Sequence, residues 1–274
     1  MSHSLRYAVN CSILFTEQPL LERPAAAAEA GFDAVEFWWP FPDAVPGDQD
    51  VDAFVSAVRN AGVQLIGLNF AAGDMPGGDR GLVSWPARAG EFRDSVDVAV
   101  GIAQQLGCRA FNALYGNRLD GVHPAAQDEL GAEQLAVAAR AVAPIGGTVL
   151  VEPVSGAPRY PLLTAADVLA VLNRVGEEHG VGNAGLLADL YHLAVNGDDV
   201  DKVIADSTDR IAHVQIADAP GRGEPGTGTL PLDRQLGELE AAGYRGWVAL
   251  EYKPSATTAT SLDWLPRSRR AASA

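Results

Sequence analysis

One phrase recurs along this chain and limits what it can become. A helical stretch ends in Ala-Gly or Leu-Gly and an apolar run begins within a few residues: AGFDAVEF from Ala30, AGVQLIGLNF from Ala61, LGCRAFNAL from Leu106 and AGYRGWVALEY from Ala242. Glycine suits the left-handed position that closes a helix, and the apolar run after it reads as the next strand. IGGTVLVEP from Ile145 and GNAGLLADL from Gly182 are looser versions, and RYAVNC near the N-terminus with RIAHVQIAD from Arg210 complete eight strand candidates. Stretches such as FRDSVDVAVGIAQQL, with apolar residues three and four apart, supply helices between them. Eight alternations in 274 residues predict a (β/α)8 barrel, an α/β fold of one domain, with the barrel over about residues 6–265 and a short tail over 266–274. No glycine-rich dinucleotide fingerprint follows the first strand, which disfavours an open doubly wound sheet.

Composition narrows the function. A hydrophobic share of 47% and a charged share of 20% suit a fold with a filled barrel and buried inner helix faces. The formal charge of -15 argues against nucleic acid and anionic lipid surfaces as partners. An anionic small substrate would need a local cationic clamp. Cys11 and Cys108 are too few for a disulfide framework and are expected to be reduced core residues. The N-terminus has no basic region followed by a long apolar stretch and no segment approaches the length of a membrane span, so a soluble, cytoplasmic protein is expected. The tail PRSRRAASA reads as frayed, and an exposed face on an outer helix would allow a homo-oligomer. The glycine- and proline-rich pieces AAGDMPGGDRG and DAPGRGEPGTG fall after strands three and seven, where barrels carry active-site loops.

Four apolar runs in the second half each stop at a metal-capable side chain: TVLVE at Glu152, AGLLAD at Asp189, IAHVQ at Gln215 and WVALE at Glu251. A buried parallel strand that stops there places the polar group at its C-terminal end, where barrel chemistry sits. Three carboxylates and an amide oxygen converging at that end would repel one another unless a divalent cation neutralised them. An all-oxygen set favours magnesium or manganese over zinc. Taken singly, Glu152 reads equally well as a strand end in water, and Asp189 as a helix N-cap beside a surface His192. Gln215 resists such a reading, because an amide inside VQIA is costly to bury without a partner. Glu152 and Glu251 at one depth would offer two bases, one on each face of a bound substrate. His213 shares the strand parity of Gln215 and belongs one layer below it, or is a hydrogen-bonded core histidine. Glu36 could line the mouth, while the Phe37, Trp38, Trp39 cluster reads more readily as packing.

The stretches LNFAAGDMPGGDRGL, HVQIADAPGRGEPGTG and ALEYKP resemble the hydroxypyruvate isomerase family, within the xylose-isomerase-like TIM barrels that also include ketose 3-epimerases. The similarity runs from about Tyr7 to Trp264. It implies a single divalent metal ion, magnesium or manganese, held by Glu152, Asp189, Gln215 and Glu251, with the two glutamates as the proton donor and acceptor pair. It also implies substrate contacts from His192 and Arg222. The implied reaction is an aldose-ketose type isomerisation, hydroxypyruvate to tartronate semialdehyde through an enediolate. The expected substrate is a small anionic hydroxy-oxo acid or a sugar.

Arg222 has a physical task in that scheme, since its planar fork can hold a carboxylate bidentately. Otherwise it is a loop arginine paired with Glu224. Lys253 shares the strand parity of Glu251 and could add positive potential over the site or finish the strand in solvent. The family usually carries asparagine in E-x-x-N after the first glutamate, and here Ser155 stands there, keeping a hydroxyl but losing the amide's reach. That puts substrate identity in question more than reaction type. The alternatives are a related sugar or oxo-acid isomerase or ketose 3-epimerase, a histidine-rich barrel endonuclease, and a metal-binding scaffold without catalysis.

Overall fold

In a computed structural model describing residues 2–271, eight strands close into a parallel barrel in sequence order. They are β1 Arg6–Asn10, β2 Ala34–Phe37, β3 Gln64–Asn69, β4 Ala110–Asn112, β5 Thr148–Val151, β6 Ala184–Asp189, β7 Ile211–Ile216 and β8 Trp247–Leu250. The helices outside are α1 Arg23–Glu29, α2 Asp48–Ala61, α3 Ala89–Leu106, α4 Pro124–Val142, α5 Ala165–His179, α6 Leu190–Val195, α7 Val200–Ser207, α8 Leu232–Ala241 and α9 Thr258–Ser261. The barrel shuts where β1 pairs with β8, Arg6 opposite Trp247 and Val9 opposite Leu250.

Local chemistry accounts for these elements. Gly62 at φ 70° and Gly107 at φ 79° close α2 and α3 in the left-handed conformation that the recurring phrase predicts. In the looser sixth version the closing residue is Gly180, two positions before the expected Gly182. α5 opens on a capping box, in which Thr164 and Asp167 each accept the other's backbone N–H. α2 buries Phe54, Val55 and Val58 on one stripe, and its acidic residues Asp48 and Asp50 lie in the first turn, where the helix dipole favours them.

Inside the barrel a layer of small and branched residues, Ala8, Ala34, Ile66 and Ala249, is buried, with Trp247 packed against it. The guanidinium of Arg6 lies 4.3 Å from the centre of the Trp247 ring. The larger apolar cluster lies mostly between strands and helices and includes both cysteines, which are buried and free. Toward the strand C-termini the interior turns polar: Asn10, Glu36, Asn69, Asn112, Glu152, Asp189, Gln215 and Glu251 are all buried. Gly67 allows this, because a Cβ there would stand 3.1 Å from Glu36 Oε2.

The expectation of a frayed tail needs correction over residues 267–270. Arg267–Arg269 form a short 3-10 turn, Arg269 donates to the His3 carbonyl at 2.9 Å, and Arg270 donates to the carbonyls of Ala30, Leu262 and Leu265. Guanidinium groups that satisfy otherwise open carbonyls tie a basic segment down. Residues 272–274 of that segment lie outside the described residues. No helix among the described residues is long and apolar enough to cross a membrane.

A methyl group at Gly107 would meet nothing within 4 Å, so Gly107→Ala should cost only the strain of a left-handed alanine. We expect a loss of about 1 kcal/mol, read as a lower urea midpoint at unchanged slope; an unshifted midpoint would mean the cap does not depend on glycine.

Candidate active site

The strand ends deliver the site. Glu152 follows β5 directly, Asp189 is the last residue of β6, Gln215 pairs in register with Asp189 on β7, and Glu251 follows β8 with its N–H on the Ile216 carbonyl at 3.1 Å. Each of the four is buried. A cavity of about 820 Å³ opens above them, and Glu152, Ser155, His192, Arg222, Glu251 and Lys253 line it.

Asp189 fills both roles that the sequence left open. Its Oδ1 caps α6, accepting the N–H groups of Tyr191 at 2.9 Å and His192 at 3.3 Å, while its Oδ2 is buried without any hydrogen-bond partner. Gln215 is divided in the same way. Its side-chain nitrogen donates to Glu36 Oε1 at 2.6 Å, and its Oε1 has no partner. Two buried carbonyl or carboxylate oxygens left bare among carboxylates are what a divalent cation would satisfy. Oxygens of Glu152 and Asp189 lie within 4.8 Å of one another, with a ring nitrogen of His192 beside them. The residues present therefore fit a cation.

His192 enters from the start of α6. The Ser155 N–H donates to its Nδ1 at 3.0 Å and the Ser155 hydroxyl oxygen lies 2.7 Å from the same atom. An imidazole nitrogen that accepts a backbone N–H has no proton of its own, so the proton sits on Nε2, 3.6 Å from Asp189 Oδ2. Burial holds the imidazole below its ordinary pKa, aided by the charges of Arg222 and Arg80 and opposed by Asp189. His192 is a neutral donor.

Arg222 lies among the acids, not beside Glu224. Its Nη2 donates to Glu251 Oε1 at 2.9 Å and stands 3.7 Å from Asp189 Oδ2. Glu224 instead accepts from Ser255. Arg222 has φ 61°, a left-handed conformation that costs a non-glycine residue on the order of 1 kcal/mol. Lys253 is exposed at the rim, its N–H on the Arg222 carbonyl at 2.7 Å.

Neighbouring residues support the site. Asn112 donates to Glu152 Oε1 at 2.8 Å, and Trp38 Nε1 donates to Glu251 Oε1 at 3.0 Å. Glu36 does not line the mouth. It lies buried in the barrel, where Oε1 also accepts from Asn10 at 2.9 Å and Oε2 is 2.7 Å from His213 Nε2. His213 is thus a hydrogen-bonded interior residue in the layer below Gln215. Of the aromatic cluster, Phe37 packs edge-on against Phe54 and Trp38 serves the site. Asn112 ends β4 as a polar group closing a short apolar strand, the signal that marked Glu152, whereas Glu36 interrupts AVEF one residue before its end.

The acids shape the electrostatics. Burial pushes the Glu152 carboxyl up to about 8, with the Asn112 bond opposing and the Asp189 charge adding. Burial also raises Glu251 well above the usual carboxylate range, against the pull of Arg222 and with the push of Asp189 and Glu152.

Known proteins resemble this chain along nearly its whole length. The family model described as xylose isomerase-like TIM barrel matches residues 24–268. A Streptomyces coelicolor protein provisionally named hydroxypyruvate isomerase is 56% identical, over 97% of this chain and 98% of its own length. The hydroxypyruvate isomerase of Escherichia coli is 33% identical over 95% of this chain and 98% of its own length, and the 2-oxo-tetronate isomerase of Cupriavidus necator 33% identical over 95% and 97%. A crystal structure from Brucella melitensis described as AP endonuclease, family 2, superposes with a TM-score of 0.85 at 36% identity, covering 95% of this chain and 97% of that one.

A carboxyl raised in the folded state keeps a proton that the unfolded chain releases above about pH 4.5. Its contribution to stability is therefore complete below that pH and is lost as pH rises through the folded value, about 8 for Glu152. In EDTA the melting temperature should fall as pH is raised through this window. Saturating manganese should flatten the profile and release protons on binding, measured by calorimetry in buffers of different ionisation enthalpy. A profile that manganese leaves unchanged would count against a cation at these acids.

Proposed function

The chain belongs to the xylose isomerase-like TIM barrel family and, within it, to the isomerases related to hydroxypyruvate isomerase, and we propose that it interconverts hydroxypyruvate and tartronate semialdehyde, or a close hydroxy-oxo acid, with one divalent cation. The supporting observation is the pair of buried glutamates, Glu152 and Glu251, which face one cavity beside two bare oxygens.

Glu152, Asp189, Gln215 and Glu251 would hold a magnesium or manganese ion through oxygen, and that ion would supply charge stabilisation to the oxyanion of an enediolate. His192 stays out of the ligand set because its Nε2 bears the proton, and it donates instead to a substrate oxygen. One glutamate takes the proton from the hydroxyl-bearing carbon and the other returns a proton to the neighbouring carbon. Burial supports this exchange, because a carboxylate raised toward neutrality is a stronger base than one in water. Asn112 holds Glu152, while Trp38 and Arg222 hold Glu251, so each base is kept in place by neutral or cationic donors. Ser155 spends its N–H on His192, a task that any residue at that position can perform except proline.

A ketose 3-epimerase is the second reading. It would use the same two bases on a longer neutral sugar, and a cavity of about 820 Å³ has room for one. A nuclease has less support, since the chain carries a charge of -15 and DNA phosphates would be repelled.

Incubation with hydroxypyruvate in D2O, followed by proton NMR against an EDTA control, separates these readings. Cation-dependent formation of tartronate semialdehyde supports the acid isomerase; turnover of ketoses alone supports the epimerase. Glu152→Gln and Glu251→Gln should each lower turnover by about 10²–10⁴-fold with the far-UV circular dichroism unchanged. Retained turnover in either variant would remove that residue from proton transfer.

A further inference from the structure

We propose that Arg80, on the loop after β3, is the residue that receives the substrate's carboxylate, and that Arg222 remains with the acids of the reaction centre. The inference rests on the acid-isomerase reading above and names the group that would make the site select acids.

An anionic substrate approaching Glu152, Asp189 and Glu251 is repelled unless a cation meets its acid group. Among the described residues four cationic side chains line the cavity: Arg80, Arg88, Arg222 and Lys253. Arg222 is engaged, with Nη2 on Glu251 Oε1 at 2.9 Å and Nε on the Glu251 carbonyl at 3.4 Å. Arg88 is engaged too, between Asp79 at 2.8 Å and Glu91, which takes its Nε at 2.7 Å. Lys253 is exposed, so its ammonium keeps its water.

Arg80 differs from all three. It is half-buried, and among the described residues it pairs with no carboxylate. Only Nη1 bonds to protein, donating to the carbonyls of Met75 at 2.9 Å and Asp79 at 2.6 Å. Nε and Nη2 have donors to spare, the edge of a guanidinium that holds a carboxylate side-on. The nearest acid in sequence, Asp79, is turned away, taking Arg88 and the Asp74 N–H. Arg80 and His192 line the same cavity.

The backbone that carries Arg80 is bonded on both sides. The Gly81 N–H bonds to the Ala72 carbonyl at 3.0 Å, and the Gly116 N–H bonds to the Arg80 carbonyl at 3.0 Å. Gly81 has φ 107°, and a Cβ there would lie 1.9 Å from the Leu114 carbonyl oxygen, so only glycine permits the approach. Among the described residues its guanidinium thus stands at the cavity wall with donors free and no carboxylate partner.

The test uses the manganese-loaded protein. D-Glycerate has the acid and hydroxyl groups but no carbonyl, so its binding can be followed by calorimetry without turnover. Arg80→Met should weaken glycerate binding by about 10- to 100-fold and raise the KM for hydroxypyruvate similarly, the loss falling on KM rather than kcat. Arg80→Lys should lie between, keeping charge but losing the fork. Binding and KM within twofold of the parent in Arg80→Met would overturn the inference and leave the isomerase reading standing. A fall in kcat with KM and glycerate binding unchanged would also overturn it. If the parent protein neither binds glycerate nor turns over any 2-oxo acid, the acid-isomerase reading fails, and the inference with it.

Discussion

Three acids at the mouth of a closed barrel share a space from which most water has been withdrawn, and each must find a proton or a positive charge. Unscreened repulsion between buried carboxylates is large enough to unfold a domain of ordinary stability, so the surrounding residues answer it. Arg222 accepts a strained backbone to stand beside Glu251 and Asp189. Asn112 and Trp38 each give a donor to one glutamate. The high proton affinity of both glutamates follows first from burial, with the charge of Asp189 adding to it. A divalent ion would relieve the repulsion in one step, which is why the bare oxygens of Asp189 and Gln215 belong with the acids.

Below the acids Glu36 performs a different task. It is itself a buried carboxylate, yet it lies within reach of three nitrogens, those of Asn10, His213 and Gln215. Fixing the amide nitrogen of Gln215 decides which end of that side chain is left over. An amide can rotate by half a turn at little intrinsic cost, so without this anchor the oxygen and nitrogen would exchange places. The order of the site is thus set one layer down, by residues that never touch its cavity.

The fold was legible because a barrel repeats its instruction: glycine closes a helix and an apolar run follows, at intervals that leave little choice of topology. Glu152, Asp189, Gln215 and Glu251 were legible for the same reason, since each ends an apolar run in the second half of the chain. The supporting residues were harder to see. Glu36 sits inside β2 and Asn112 ends β4, but what they do depends on which strands close the ring and at what height, and strand parity alone does not fix that. The bulge between Val35 and Glu36 shifts the register by one residue just where Glu36 must face inward. Ser155 acts through a backbone amide, which side-chain identity does not report. Arg80 is one arginine in a polar loop until the acids around it are seen to be taken by others.

The loop after β3 is fastened to the loop after β4. Besides the bond from the Gly116 N–H to the Arg80 carbonyl, the Ser84 N–H reaches the Tyr115 carbonyl at 2.9 Å, and Trp85 Nε1 donates to the Asn117 carbonyl at 2.8 Å. The two segments therefore form a single cassette. Anyone exchanging the first to retune what this barrel accepts would have to transplant Leu114 through Asn117 with it, because a foreign loop set against the native one would lose its moorings together. In a lineage of barrels that diversify by swapping mouths, these two loops should be inherited as one unit.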